Sequence, residues 1–508
     1  MVSKLNSASL IGVEAFLVDV EVERSDGLPV FSVIGLGDTA VQEARYRIQV
    51  ALRSLGISMA KRRTTINLGP ASLRKDGASL DLPMALGVLT EAEHISKESL
   101  YKTLAVGELS LTGEIRPVRG VLAIVEKAKR LGFTTIIIPK DNQDEGRCIE
   151  GVRILAPQNL CELIAHLKGE KELESSSDIH GLETNTTTKN VPVDFSEVHG
   201  QYQARRALEI AAVGQHNVLL IGSPGAGKTM LAQRLTTILP RLTQEQSIEV
   251  TKIWSISNMT HVPKGLMTTP PFRAPHHTVS SAGMIGGGSH IRPGEITLAH
   301  HGVLFIDEIT ELPKHLLNSL RQPLEDGLVT IARARQVIEM PARFMFIAAA
   351  NPCPCGWYGD PSNRCHCGFS EMSKYFRKLS GPILDRIDLC VHMTNTPATD
   401  LLHPKPSESS STIHERVKLA RQRALARNGI LNSSCKGAKL RKACAMSQKV
   451  EKLLSQAADH YALTGRSLER ILRVSRTIAD LNQNEFVQQD DLLEALSYRL
   501  PSVFQRNI

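Results

Sequence analysis

The sequence predicts an α/β fold in three blocks: an N-terminal α+β block, an α/β core built on a glycine-rich strand–loop–helix unit, and a helical C-terminal block. Three observations carry this reading. An apolar run, Val218 to Ile221, leads into Gly222-Ser223-Pro224-Gly225-Ala226-Gly227-Lys228-Thr229 and then an amphipathic helical pattern. A second apolar run, Val303 to Ile306, ends in Asp307-Glu308 and has the character of a buried strand. Past residue 396, segments such as SLERILRVSRTIADLNQ space their apolar side chains as helices do.

With 508 residues, the chain has room for roughly three domains at about 150 residues each. The first, residues 1–167, opens with strand-like alternation. Asp38 can cap a helix over DTAVQEARYRIQVALRSLG, in which Val41, Ala44, Ile48, Leu52 and Leu55 share a face and Gly56 ends the run. A strand-like TTINLG follows, KDGASLDLPMALGVLTEA reads as a loop feeding a helix, and VEKAKRLGFTTIIIPKDN reads as helix, glycine stop and buried strand. Residues 168–195 are polar and rich in Ser and Thr; they bury too little apolar surface to offset their ordering entropy and read as a linker. Residues 196–396 form the core and residues 397–508 the helical block. No fixed-period repeat suggests a solenoid.

Composition removes several functions. The chain is 42% apolar and 22% charged, ordinary for a globular protein. No apolar run reaches the roughly 18 residues that span a bilayer. Glu14 and Asp19 fall where a signal peptide needs an apolar core. A membrane protein and a secreted mini-domain are thus excluded, and a cytoplasmic location is expected. The net charge of +8 favours a polyanionic partner. Aromatics at 4% argue against gripping single strands chiefly by base stacking.

Each residue of the glycine-rich loop suits one task. Glycines let backbone N–H groups curl around phosphate oxygens, the following helix start adds a favourable dipole, Lys228 can reach the β and γ phosphates, and Thr229 can hold Mg2+. At the second strand end, Asp307 can complete the Mg2+ shell while Glu308 orients or deprotonates an attacking water. The acidic pair therefore points to hydrolysis and not to binding alone. PARFMFIAAANP makes a further strand ending at Asn351, whose amide can sense the γ phosphate or position water. GPILDRIDL then supplies Arg386, and TGRSLERIL supplies Arg466 at a helix start.

Phosphate loop, acidic pair, strand-end Asn and two later arginines, in that order, form the pattern of an AAA+ ATPase. The segments GSPGAGKT, VLFIDE, AAANPCPCG, LDRIDL and RVSRTIADL resemble the Mg-chelatase-like AAA+ ATPases, more narrowly the YifB/ComM group linked to natural transformation. The likeness covers nearly the whole chain, from GVEAFLVDVEVERSDGLPVFSVIGL to the C-terminal helices. It implies that Lys228, Thr229, Asp307, Glu308 and Asn351 serve one subunit's ATP. Arg386 would be the finger reaching a neighbour's γ phosphate, and Arg466 the second sensor. Such a composite site requires a ring, commonly a hexamer. The same likeness implies a motor that drives branch migration of forked or branched DNA through backbone contacts.

Two insertions resemble those that project into the pore of ring motors such as the replicative MCM helicases. PFRAPHHTVSSAGMIGGGSHIRPGEITLAHHG corresponds to a helix-2 insert, its Gly286-Gly287-Gly288 tip flanked by His290 and Arg292. LVTIARARQVIEMPARF alternates like a β-hairpin and corresponds to a pre-sensor hairpin carrying Arg333 and Arg335. Basic residues there would meet a phosphate backbone, with sequence-independent, salt-sensitive binding; the alternative is that Arg333 and Arg335 are solvated edge-strand charges. The N-terminal block resembles the peptidase domain of Lon-type proteases, through KDGASLDLP and GELSLTGEIRPVRGVLAIVEKAKRLGFTTIIIPKDN. Ser79 falls at the nucleophile position. The position of that family's lysine base holds Leu122, which can take no proton, so the block is expected to be a non-proteolytic scaffold.

Four of the nine cysteines lie within PCPCGWYGDPSNRCHCGF. Cys353, Cys355, Cys365 and Cys367 form two close pairs that can converge on one structural Zn2+, with His366 as a substitute ligand; the alternative is a loop of reduced thiols. From Lys405 to Lys449 there are eleven Lys or Arg against Glu408 and Glu415, a net +9 that exceeds the whole-chain +8. That run is either a solvated helix face or a nucleic-acid-facing surface. Two other functions fit part of the pattern: a metal-chelatase-type motor subunit, and an ATP-gated, non-enzymatic assembly scaffold.

Overall fold

The computed structural model describes residues 2–173 and 193–500, except for 29, 36, 58–61, 74, 76, 258–264, 289–290, 334–335, 361–363, 380, 396–401 and 403–406. The chain is a mixed α/β protein. By contact it forms two compact units: residues 1–187 with 244–268 and 291–293, and the remainder.

The first unit is built on β1 (Val2–Ile11), β2 (Glu14–Asp26), β3 (Phe31–Ile34), α1 (Thr39–Ser54), β4 (Arg62–Gly69), α2 (Asp81–Glu91), β5 (Thr103–Ala105), α3 (Val121–Arg130), β6 (Thr135–Ile137), β7 (Arg153–Leu155) and α4 (Leu160–Leu167). Seven of its strands form one sheet in the order β3-β4-β2-β1-β5-β6-β7. β1 and β2 form a long antiparallel hairpin, whereas β5, β6 and β7 run parallel to β1. Asp38 caps α1, its carboxylate accepting from the Val41 N–H at 2.9 Å, and Val41, Ala44, Ile48 and Leu52 are buried as their spacing predicts. α2 is buried along almost its whole length. At its start Asp81 meets Arg47 at 2.7 Å, yet burial outweighs that partner and pushes the carboxyl up to about 6.

The helix Gln244–Ile256 belongs to this unit, an excursion the linear block reading does not include. Lys252 meets Glu126 at 2.7 Å and Glu14 at 3.0 Å, and the Ser255 hydroxyl accepts from the Gly120 N–H at 3.0 Å. Ser255 also donates to Glu145, whose other partners include the Leu122 N–H at 2.8 Å. Burial pushes the Glu145 carboxyl up against these hydrogen bonds.

The second unit contains α5 (Tyr202–Gly214), β8 (Val218–Gly222), α6 (Lys228–Ile238), β9 (Phe272–Arg273), β10 (Val303–Ile306), β11 (Leu328–Arg333), β12 (Gln336–Pro341), β13 (Met345–Ala350) and β14 (Leu389–Met393). The helices α7 (Ser410–Asn428), α8 (Gly437–Cys444), α9 (Gln448–His460), α10 (Gly465–Leu481) and α11 (Gln489–Ser497) follow. Five strands form an all-parallel sheet in the order β9-β10-β13-β8-β14. Both faces are covered, which is why the strands read as continuous apolar runs. Val218 and Leu220 enter one core with α5, α6 and the C-terminal helices; Leu219 and Ile221 enter the other with Leu304 and Ile306. β11 and β12 form a separate antiparallel hairpin, matching the alternation of its sequence.

The C-terminal helices hold together around a buried charge cluster. Arg427 grips both oxygens of Asp480 at 2.6 and 2.7 Å, Arg476 reaches one at 2.9 Å, and Asn432 donates to the other at 2.8 Å. Arg476 is 1% exposed, so its charge depends on this carboxylate. Asp480→Asn is expected to cost about 2–3 kcal/mol, read as a lower urea midpoint; an unshifted midpoint would show that the clasp contributes nothing.

The same helices revise the basic run at 405–449. Arg416 pairs with Glu209 and Glu408, the half-buried Arg421 donates to the Ala212 carbonyl, and Arg423 donates to the Asp480 carbonyl. With Arg427, these guanidinium groups each find partners within this unit. A planar fork of donors can satisfy carbonyls and carboxylates that a point charge cannot. Lys436, Lys439, Arg441, Lys442 and Lys449 remain exposed on and beside α8, and Lys405 lies outside the described residues. No helix among the described residues is long and apolar enough to cross a membrane.

Candidate nucleotide site

β8 sits between β13 and β14, both later in sequence, so the chain leaves its C-terminal end at a switch in strand order. Crevices at such ends are where parallel α/β sheets bind ligands. Gly225 and Gly227 have φ of 81° and 85°, the left-handed region that glycine enters without strain, and they turn the chain into α6. Gly222 has no room for a side chain, since a Cβ would come within 2.7 Å of the Met393 carbonyl oxygen. Ser223 and Ala226 are buried under the loop, while Pro224 and Gly225 are exposed.

Lys228 opens α6 and is 8% exposed. Its Nζ donates to the carbonyls of Gly222 at 2.7 Å and Ser223 at 3.1 Å, and to Asn351 Oδ1 at 3.1 Å. The loop's lysine and the strand-end amide therefore stand together. Burial pulls the Lys228 pKa down, with Asp307 and Glu308 opposing. A phosphate arriving there would supply the counter-charge that the ammonium lacks.

Thr229 Oγ1 donates to Asp307 Oδ2 at 2.6 Å, so the two oxygens suited to Mg2+ are adjacent. Asp307 Oδ1 accepts the Glu308 N–H at 2.9 Å, and Glu308 takes the left-handed region at φ 47°. This turns its half-exposed carboxylate out of the strand, where a base for water must stand. His277 Nδ1 lies 3.7 Å from Glu308 Oε2. The sequence reading passed over His277; its one available signal is its place just after β9, the strand beside β10.

Arg386 and Arg466 lie elsewhere. β14 runs parallel to β8 with Val218 opposite Leu389 and Gly222 opposite Met393. Arg386 precedes β14, at the N-terminal edge of the sheet, whereas the phosphate loop follows the C-terminal edge. Five residues at about 3.3 Å each put roughly 16 Å between those edges. Arg386 is held there by Glu325. Arg466 joins the same edge, 3.8 Å from Asp385, and is 72% exposed. Neither arginine is brought to this chain's own phosphate loop.

Beyond Asn351 the four cysteines converge. Cys353 Sγ lies 3.2 Å from Cys355 Sγ and 3.7 Å from Cys365 Sγ, Cys355 lies 3.6 Å from Cys365, and all four sulfurs fall within 4.8 Å of one another. Thiolates about 2.3 Å from zinc stand about 3.8 Å apart in a tetrahedron, so the donor set fits Zn2+. The Trp357 N–H lowers the Cys355 thiol to about 6. His366 is not part of the group.

Of the remaining sequence candidates, Arg292 is exposed within the first unit, and His290 and Arg335 lie outside the described residues. Arg333 ends β11; its side chain is likewise outside them. Gly286, Gly287 and Gly288 all have positive φ. Ser79 sits in a short helical turn, and Leu122 is wholly buried in the apolar core of the first unit.

Sheet order, phosphate loop, strand-end acids and the adjacent Asn define a P-loop protein of the AAA+ class. Comparison with known proteins makes the class narrower. The chain matches the descriptions "Magnesium chelatase, subunit ChlI" over residues 194–401, "Subunit ChlI of Mg-chelatase" over 20–142, and "Magnesium chelatase, subunit ChlI C-terminal" over 407–499. It belongs to the Mg-chelatase-like AAA+ family, within the YifB/ComM group. It is 40% identical to the uncharacterized protein YifB of Escherichia coli (strain K12), over 98% of this chain and 97% of that protein. It is 38% identical to the competence protein ComM of Haemophilus influenzae, over 97% and 96% of the two chains. A 26% likeness to the magnesium-chelatase 38 kDa subunit of Cereibacter sphaeroides covers 32% of this chain and 53% of that one. Family membership implies ATPase chemistry with ATP and Mg2+, for which Lys228, Thr229 and Asp307 are the fitting residues.

Proposed function

We propose that this protein is an ATP-hydrolysing ring motor acting on forked or branched DNA, a branch-migration helicase that serves recombination in natural transformation. One observation carries the ring: Lys228, Thr229 and Asp307, which suit phosphate and Mg2+, lie at one edge of the sheet, while Arg386 and Arg466 lie at the other. Neither arginine is brought to its own chain's phosphate loop, so Arg386 is read as the finger of a neighbour's site in a hexameric ring, with Arg466 as the second sensor. The full-length likeness to a competence protein supports the setting. The exposed cations around α8, with Arg333 and Arg335 in the sequence of the β11–β12 hairpin, would supply the charge for a phosphate backbone.

The first unit is a Lon-protease-like scaffold without peptidase activity, since the residue matching the lysine base, Leu122, is sealed in apolar core. The C-terminal helices are the lid, and the four-cysteine loop holds structural zinc. The motor works in the cytoplasm. A chelatase-type role has the weaker support, as the likeness to a named chelatase subunit covers a third of the chain.

The deciding measurement is ATP turnover with and without four-way-junction DNA. The junction is expected to raise turnover, and its binding to weaken steeply with added salt. No stimulation and no binding at low salt would remove DNA from the proposal. Replacing Arg333 and Arg335 together by Ala should weaken junction binding by about tenfold or more while ATP affinity stays unchanged. Unaltered junction binding would take the hairpin out of the DNA path.

A further inference from the structure

We infer that the four-cysteine loop is a metal-held brace for the phosphate loop, so that metal occupancy sets how tightly the nucleotide site binds. This rests on the zinc reading above and extends it from a local fold element to control of the ATP site. Three contacts join the two loops. Gly356, just after the first cysteine pair, lies against Pro224; a Cβ there would stand 3.0 Å from Pro224 Cδ. Its φ of 84° is one that glycine alone takes freely. Asn395 then bridges the loops, its Nδ2 donating to Asp360 Oδ2 at 2.8 Å and its Oδ1 accepting from Ser223 Oγ at 3.1 Å. Finally, Asn351, the acceptor for Lys228, stands two residues before Cys353.

The phosphate loop is thus touched at Ser223, at Pro224 and, through Asn351, at Lys228. What touches it has little shape of its own. No helix or strand is formed among the described residues between Ala350 and Phe369. Cysteine sulfurs are weak hydrogen-bond partners for one another and do not by themselves hold four in register. A divalent cation bound by four thiolates can, and its binding energy becomes folding energy for the loop. The Tyr358 N–H, 3.3 Å from Cys353 Sγ, is the kind of outer contact that steadies a metal-bound thiolate. When the metal leaves, Gly356 and Asp360 lose their anchor, Ser223 loses its ordered acceptor, and ordering of the phosphate loop falls to the incoming nucleotide.

The test uses the full chain purified under reducing conditions, with elemental analysis for zinc and a fluorescent ATP analogue as the binding probe. Stoichiometric zinc is expected. Stripping it with a chelator should weaken analogue binding about tenfold, as loss of one or two such hydrogen bonds implies, and zinc chloride should restore it. Asn395→Ala should keep its zinc yet bind the analogue about fivefold more weakly. Absence of zinc would overturn the zinc reading and the brace with it. Zinc present, with equal affinity in the stripped protein, would overturn the brace alone. Should the stripped protein unfold, Asn395→Ala decides: full affinity with zinc retained overturns the brace.

Discussion

Arg386→Ala is expected to lower ATP turnover by about a thousandfold, the range for an arginine that stabilises phosphoryl-transfer charge, while ATP affinity changes little. The expectation follows from position. Arg386 lies at the edge of the parallel sheet opposite the phosphate loop, where Glu325 holds its guanidinium. In the proposed ring it assists chemistry in a neighbour's site and not binding in its own. A mixing experiment separates this from simple damage. Arg386→Ala protein and Lys228→Ala protein, each inactive alone, should regain part of the activity when assembled together, because some interfaces then pair an intact loop with an intact arginine. Mixed rings as inactive as either variant, or an Arg386→Ala protein with full turnover, would assign the arginine a different role.

Glu308→Gln should trap ATP. The amide keeps the shape of the carboxylate and removes its basicity, so hydrolysis is expected to fall by about 100- to 1,000-fold with nucleotide affinity retained. On the proposed motor Glu308 is the base and Asp307 the metal ligand, a division that two observations support. Asp307 shares a 2.6 Å hydrogen bond with Thr229 and is thereby committed to the Mg2+ side. Glu308 is turned outward by its left-handed backbone, and His277 Nδ1 lies 3.7 Å from its carboxylate. Single-turnover hydrolysis alongside analogue binding checks this. Equal loss of binding and hydrolysis would mean that the carboxylate supports the nucleotide and not the water.

Much of the nucleotide site was legible because its chemistry is local. A phosphate loop needs glycines at fixed offsets between a strand and a helix, so Gly225, Gly227, Lys228 and Thr229 announce themselves within a single turn of chain. The strand-end acids and Asn351 were legible for a related reason: a strand buried on both faces is an unbroken apolar run, and the first polar residue after it must emerge at the sheet's edge. The helix capped by Asp38 and the β11–β12 hairpin followed from periodicity in the same way.

What sequence could not show depends on which edge or which partner a side chain meets. Arg386 and Arg466 were visible as arginines, but only the parallel register of β14 against β8 puts them at the far edge from the loop. The basic run near the C-terminus reads either as a solvated face or as a nucleic-acid surface; its long-range partners, Glu209 and Asp480 among them, which pair with Arg416, Arg423 and Arg427, are invisible in the sequence. Asn395 carried no periodic or spacing signal and His277 only its place after β9, because each is defined by a group far away in sequence. The helix Gln244–Ile256 grouped with the first unit through Lys252 and Ser255, against its place in the chain. The sequence by itself determined the α/β class, the phosphate loop with its acids, and the family. The tertiary structure alone decided which charges face outward, which edge each arginine occupies, and that the cysteine loop bears on the phosphate loop. The physical reason is range: backbone propensity and apolar period act over a few residues, whereas ion pairs, burial and thiol clustering are settled only when distant segments meet.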